Sequence, residues 1–296
     1  GQTMKDHGAD WVVDDIAEID RDGLCKHRNA GGLPSALNRI DEISGFDEGR
    51  RPVLFLDFDG TLSPIVDRPQ DAALAPGMHR ALIALAEHCT VAIVSGRGLS
   101  DVRERVGLDT LYYAGSHGFE IDGPGQTRLQ SDKGIQALPA LDRAEAQLKG
   151  RLADIDGALV ERKKFSVAVH YRKVAPEDAG KVEQIVDGVL GDHADLRKGR
   201  GKKVFELQPD VAWDKGHAVQ WLMKKLDLDD EMIKPIYIGD DVTDEDAFRV
   251  LQGRGAGILV HDGDDRRTYA GYGLETPREV RAFLEDLSAA LQGGAR

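Results

Sequence analysis

Two carboxylates set two residues apart at the end of an apolar run constrain this chain more than any other feature. Residues 52–62 read Pro-Val-Leu-Phe-Leu-Asp-Phe-Asp-Gly-Thr-Leu. Val53 to Leu56 show no polar alternation, which suits a strand buried on both faces, as in a parallel sheet. Asp57 and Asp59 follow at its carboxyl end, where open α/β sheets place their ligands. Gly60 permits a sharp turn and Thr61 adds a hydroxyl. A simple Asp-Gly turn explains part of this pattern. It does not explain two acids so close together, which repel unless a cation sits between them or one holds a proton. Asp57 is placed to attack an electrophile such as phosphorus, and Asp59 to give and take protons. A hard cation, Mg²⁺ first among them, would neutralise the cluster.

The same design recurs along the chain. Thr90 to Val94 reads as a second apolar strand ending in Ser95-Gly96-Arg97. Ser95 and nearby backbone N–H groups can hold phosphoryl oxygens, and Gly96 lets backbone approach a ligand. Leu111 to Ala114 reads as a third strand, followed by Gly115-Ser116-His117-Gly118, where His117 is a candidate substrate contact. Trp213-Asp214-Lys215-Gly216 opens a helix carrying Ala218, Leu222 and Leu226. A lysine at a helix start opposes the helix dipole unless an anion lies beside it, so Lys215 is a candidate phosphoryl ligand. The strand Pro235 to Ile238 ends in Gly239-Asp240-Asp241-Val242-Thr243-Asp244-Glu245. Thr243 as an N-cap would account for Asp244 to Asp246 in a first helical turn. It accounts less well for Asp240, which suits a hard-cation ligand. Further helices are expected at Leu33 to Ile43, from Pro76 through Ala86, at Asp101 to Val106, and at Pro277 to Leu291; a late strand is expected at Gly257 to Val260.

Residues 119 to about 209 break the strand–helix rhythm. Helical segments near Pro139–Asp154 and Pro176–Leu190 are interleaved with a hairpin over Val160–Arg172, turning near Lys163–Lys164, and a strand over Lys202–Gln208. The expected fold class is α/β: a Rossmann-like parallel-sheet core with an inserted α+β cap, or lid, domain. The expected division is a leader over residues 1–45, with no chemistry assigned. The core then takes residues 46–120 and 210–296, and the cap residues 121–209.

Composition narrows the class. A net charge of −13 over 296 residues argues against a general nucleic-acid binder, though not against a local basic pocket. Two cysteines, Cys25 and Cys89, make no disulfide framework and point to a reducing compartment. No apolar run approaches the roughly 20 residues of a membrane span, and acids scattered through the first twenty positions do not read as a signal peptide. The expectation is a cytoplasmic protein, bound to neither nucleic acid nor membrane. The sequence does not report an oligomeric state, with a monomer favoured.

In this order, Asp57-Phe58-Asp59-Gly60-Thr61, Ser95, Lys215 and Gly239-Asp240-Asp241 with Asp244 resemble the haloacid-dehalogenase-like phosphohydrolases, over about residues 52–290. Within them the chain looks most like trehalose-6-phosphate phosphatases. That likeness rests on Ser95-Gly96-Arg97, Gly115-Ser116-His117-Gly118, Glu161 and Lys163 ahead of His170-Tyr171-Arg172, Gly201-Lys202 with Glu206, and Gly239 to Glu245.

The resemblance implies a phosphoric monoester hydrolase. Asp57 would be the nucleophile that forms an aspartyl-phosphate. Asp59 would protonate the departing sugar oxygen and then activate water. Ser95 and Lys215 would hold the phosphoryl group. Mg²⁺ would be bound by Asp57, the Asp59 backbone carbonyl and Asp240, with Asp244 in support. Gly96, Arg97 and His117 from the core, and Glu161, Lys163, Arg172, Lys202 and Glu206 from the cap, would contact the sugar phosphate. Two positions depart from the family pattern: Lys164 stands where glycine is common, and Gln208 where a basic residue before proline is usual. A sucrose-phosphate or mannosylglycerate-phosphate phosphatase, a non-catalytic sugar-phosphate binder and a phosphate-moving mutase remain open at this point.

Overall fold

In the computed structural model, which describes residues 27–130, 132–201, 203–211, 213–261, 263 and 266–294, strands and helices alternate around one long sheet. The strands are β1 (Arg28–Asn29), β2 (Arg51–Leu56), β3 (Val91–Val94), β4 (Tyr112–Gly115), β5 (Glu120–Gly123), β6 (Thr127–Gln130), β7 (Leu159–Lys163), β8 (Ser166–His170), β9 (Leu196–Gly201), β10 (Val204–Pro209), β11 (Ile233–Gly239), β12 (Ala256–Val260), β13 (Arg267–Thr268) and β14 (Tyr272–Leu274). The core sheet runs β14-β12-β11-β2-β3-β4-β5-β6. It is parallel from β14 to β4, and β5 and β6 extend it as an antiparallel hairpin.

The apolar run in β2 is covered on both faces. Leu54 and Leu56 pack with Leu82, Leu85 and Phe283 from the helices Met78–Ala86 and Pro277–Gly294. Val53 and Phe55 pack with Val219, Leu222 and Phe248 from the helices Lys215–Lys225 and Glu245–Leu251. A continuous apolar strand is what such a sandwich demands. Leu56 pairs with Ile93 on one side and with Ile238 on the other. Asp57, Ser95 and Asp240 therefore leave three adjacent parallel strands at the same edge.

A second sheet, β7-β8-β10-β9, is antiparallel. The helices Asp132–Arg151 and Ala179–Gly191 cover one of its faces, where Leu141, Leu148, Val182 and Val186 meet Val167, Val169, Phe205 and Leu207. Because strand side chains alternate, Glu161, Lys163, Glu206 and Gln208 fall on the other face. The register puts Glu161, Ala168, Glu206 and Gly199 in one row across the four strands.

Several expectations shift. The core sheet does not stop at residue 120: β5 and β6 carry it to Gln130. Nor does the core begin at residue 46, since Ala36 and Ile43 are fully buried in it. The leader otherwise lies largely outside the described residues. Its helical spacing resolves into a 3₁₀ turn at Ala36–Asn38 and a short helix at Ile40–Ser44, ended by Gly45 at φ 73°. Pro76 precedes its helix, which Gly77 caps. Pro139 lies inside the Asp132–Arg151 helix, not at its start. Its side is exposed, while Ala137, Ala140, Leu141 and Ala144 form an unbroken buried stripe. That stripe outweighs the roughly 3 kcal/mol a mid-helix proline costs. Thr243 is not an N-cap. Asp241 takes that role for the turn Val242–Asp244 in a capping box with Asp244. Among the described residues no helix is long and apolar enough to cross a membrane.

Candidate active site

At the carboxyl edge of the core sheet, Asp57 is 4% exposed. Its Oδ1 accepts a hydrogen bond from Lys215 Nζ at 2.9 Å, and the same ammonium donates to Asp244 Oδ1 at 2.7 Å. Lys215 starts its helix just after Asp214, whose carboxylate caps the His217 N–H at 2.9 Å. The adverse dipole at Lys215 is thus met by acids on two sides. Asp244 is fully buried and saturated: Tyr237 Oη donates to Oδ1 at 2.6 Å, and the N–H groups of Asp240 and Asp241 donate to Oδ2 at 3.0 and 2.9 Å. It ties the lysine, the end of β11 and the following loop into one unit.

Burial pushes the Asp57 carboxyl up to about 7, against the pull of Lys215 and with the push of Asp244. Burial, then the charges of Asp57 and Asp244, raise Asp240 to about 9. Burial works against the Lys215 charge, but Asp244 and Asp57 more than offset it and hold its pKa above the usual range.

This group fits a hard dication. Asp57, Asp240 and Asp244 each bring a carboxylate oxygen within 4.8 Å of the others. One lysine leaves three carboxylates under-neutralised, and Asp240 Oδ1 is buried with no hydrogen-bond partner among the described residues. Buried polar atoms without partners are rare, and a place for a bound ion is one standard reason for them. Gly60 is required at this point: it sits at φ 76°, and a Cβ would lie 2.0 Å from Asp240 Oδ2.

Asp59 does not bring its side chain into that group. Arg97 grips it with both arms, Nε to Oδ2 and Nη2 to Oδ1, each at 2.7 Å. Ser95 is 1% exposed and its Oγ accepts from the Arg97 N–H at 3.2 Å. Gly96 lies under the His117 ring: a Cβ there would stand 2.7 Å from Cε1. Ser116, His117 and Gly118 are consecutive left-handed residues, at φ 52°, 56° and 94°. Two of these are strained for L side chains. The His117 N–H bond to Ser95 O, at 2.9 Å, holds the turn against the Ser95 loop. Burial, then the charges of Lys215 and Lys163, push the imidazole down to about 4, so it is neutral near pH 7.

Facing these residues is the polar side of the second sheet, across a cleft of about 2050 Å³. Its floor carries Asp57, Asp59, Ser95, Lys215 and Asp240, and its roof Glu161, Lys163, Arg172 and Glu206. Lys163 Nζ donates to Glu206 Oε1 at 3.1 Å and Ser166 Oγ to the same oxygen at 2.6 Å. Burial opposes ionisation of Glu206, but Lys163 and that hydroxyl hold its pKa below the usual range. Glu161 meets His170 at 2.7 Å. Lys202 lies outside the described residues. Of the two departures from the family pattern, Gln208 lines the cleft, and Lys164 pairs with Glu120 of β5.

Sequence reasoning missed Tyr237, Asp101 and Ser166. The one available signal for Tyr237 was a lone hydroxyl inside an apolar strand, which needs a buried partner.

A family model described as trehalose-phosphatase matches residues 55–277. The trehalose-phosphate phosphatase of Mycobacterium ulcerans is 44% identical over 291 residues, covering 97% of this chain and 74% of that protein. An uncharacterized glycosyl hydrolase of Mycobacterium tuberculosis is also 44% identical, over 298 residues and 98% of this chain, but the chain spans only 22% of its length. Among solved structures, the C-terminal domain of a Candida albicans trehalose-6-phosphate phosphatase has the same fold. Its TM-score is 0.72 at 23% identity, over 87% of this chain and 99% of that one.

Proposed function

The chain belongs to the trehalose-phosphatase family, and from that premise we propose that it hydrolyses trehalose 6-phosphate to trehalose and phosphate. We further propose an aspartyl-phosphate intermediate and a need for Mg²⁺, in the last step of trehalose synthesis, in the cytoplasm. One observation carries the reading. The buried Asp57–Lys215–Asp244 group, and an Asp240 oxygen with no partner among the described residues, face a roof of acceptors and donors across one cleft.

The substrate's phosphoryl group rests over Asp57, flanked by Ser95 and Lys215. An Asp57 oxygen attacks phosphorus while Asp59 passes its proton to the ester oxygen of the sugar. The P–O bond breaks, trehalose leaves as the alcohol, the phosphoryl group stays on Asp57, and Asp59 is left as a carboxylate. Asp59 then takes a proton from a water whose oxygen attacks phosphorus. The bond to Asp57 breaks, phosphate departs, and both acids regain their starting states. Asp57, Asp240 and the Asp59 carbonyl, with Asp244 in support, would hold Mg²⁺, which would supply positive charge against the phosphoryl oxygens. Lys215 adds a second charge already in place, and preorganised charge of this kind is where most of phosphoryl-transfer catalysis lies.

The roof selects the sugar. Glu161 and Glu206 accept from hydroxyls, and Lys163 and Arg172 donate to them. We assign the second sheet, with its two helices, the role of a cap that excludes bulk water while the intermediate exists.

Phosphate release across a panel of sugar phosphates, with Mg²⁺ and with chelator, tests this. Trehalose 6-phosphate should be cleaved well ahead of glucose 6-phosphate and sucrose 6-phosphate, and only with the metal. Equal rates on all three would overturn the substrate; undiminished release in chelator would overturn the metal.

A further inference from the structure

The Asp59 side chain is held by more than its own loop. Arg97 spends its fork on it: Nε and Nη2 bind the two carboxylate oxygens at 2.7 Å, Nη2 also donates to Pro69 O at 2.9 Å, and Nη1 donates to Asp101 Oδ2 at 2.8 Å. The guanidinium carbon lies 5.3 Å from the centre of the Phe58 ring, between the two aspartates. Asp101 in turn accepts from Arg105 Nε at 2.8 Å, and Arg105 also donates to Ala72 O. Arg97 is 11% exposed along its side chain, against 46% for Asp59. A guanidinium so fully committed has little left for a substrate hydroxyl.

We propose that Arg97 is a positioning residue for the proton transfer and not a sugar ligand. Its planar fork fixes the Asp59 carboxyl at the cleft, apart from the Asp57–Asp240–Asp244 group. When Asp59 gives its proton to the ester oxygen, the carboxylate left behind is already paired with a cation. Asp101 holds Arg97 in turn, and the carbonyls of residues 69–72 set the outer edge of the assembly. This inference rests on the reading of Asp59 as the acid. A bidentate clamp depends on fork geometry, so lysine, which keeps the charge, does not replace it.

The test uses leaving groups of unequal need. A sugar alkoxide departs only with a proton, whereas p-nitrophenolate departs without one. In Arg97→Lys, kcat on trehalose 6-phosphate should fall at least about tenfold further than kcat on p-nitrophenyl phosphate, a share of the 10²–10⁴ that general acid catalysis supplies. KM for the sugar phosphate should stay within about threefold. Both activities come from one preparation, so a partly unfolded sample cancels in the ratio. Asp101→Ala should move the ratio the same way by less, and Arg97→Lys with Asp59→Asn should be no worse than Asp59→Asn alone. A raised KM with kcat preserved, an equal loss on both substrates, or full additivity in the double variant would overturn the assignment. The reading beneath it fails separately. If Asp59→Asn itself loses both activities equally, Asp59 is not the acid. If the wild type prefers another sugar phosphate, that ester takes the place of trehalose 6-phosphate in the same experiment.

Discussion

The floor and the roof of the cleft hold charge in opposite ways. On the floor, the side chains of Lys215, Asp57 and Asp244 are 3%, 6% and 0% exposed. On the roof, Lys163 and Glu206 keep 35% and 21% of their exposure, and His170 and Glu161 keep 33% and 51%. Breaking a buried pair strands a charge in low dielectric and costs several kcal/mol. A half-exposed pair contributes only about 0–1 kcal/mol. The floor therefore holds its partners tightly and arrives assembled, as the proposed attack on phosphorus requires. The roof can give up Lys163–Glu206 or Glu161–His170 for a sugar hydroxyl at a lower cost than the floor could. Rate should live in the floor, and selectivity in the roof.

Substitutions can break that division. Asp57→Asn should lower phosphate release at least about 10³-fold with little change in KM, as loss of a nucleophile does. Steady-state kinetics with separate kcat and KM would check it, and a loss confined to KM would contradict the division.

Asp240→Asn comes next, and its effect depends on pH. Burial, then the charges of Asp57 and Asp244, push the folded carboxyl from its ordinary 3.8 up to about 9, so between those values the folded state binds the extra proton. Its contribution to metal-free stability is fully present below the lower value and is lost as pH rises through the upper. Mg²⁺ needs the ionised acid, so thermal stabilisation by Mg²⁺ should grow from about pH 6 to pH 9. Asp240→Asn should abolish that stabilisation. At pH 8 it should itself raise the metal-free Tm by about 2–4 °C, the size of ~1 kcal/mol in a protein of this length. Thermal melts with and without Mg²⁺ across pH decide it.

On the roof, Glu206→Gln keeps the shape and removes the charge. It should raise KM for trehalose 6-phosphate about tenfold with kcat within threefold, and leave p-nitrophenyl phosphate nearly untouched, since a lost charged hydrogen bond is worth about 1.5–3 kcal/mol. Smallest of all should be Lys164→Ala. It removes a pair between cap and core at a side chain that is 41% exposed. Tm should move by no more than about 1–2 °C. If it shifts sugar preference as far as Glu206→Gln, the selective surface reaches beyond the sheet face to the hairpin turn.

The floor was legible in the sequence because each of its residues ends an apolar strand or opens a helix. Asp57, Ser95, Lys215 and Asp240 mark such places, and parallel register brings them together. The hairpin of β5 and β6 was not legible. Glu120–Gly123 carries one aliphatic side chain, and its strand character comes from pairing with β4. After Leu196, the strand Leu196–Gly201 holds only arginine, lysine and glycine, and pairing with β10 makes it a strand. Pro139 read as a helix start because proline favours that position, and only the buried stripe on both sides of it shows otherwise. Arg97 was legible as a site residue, but its partner was not: Asp59 lies 38 positions away, and nothing local links them.

The central claim is that Asp57 carries the phosphoryl group between the two steps. The direct measurement is an acid quench within the first turnover of trehalose 6-phosphate radiolabelled in its phosphate, followed by peptide mapping. The account predicts transient label on the peptide that contains Asp57, cleavable by hydroxylamine and absent in Asp57→Asn. Phosphate released at full rate with no labelled protein at any time, or label on another peptide, would contradict it.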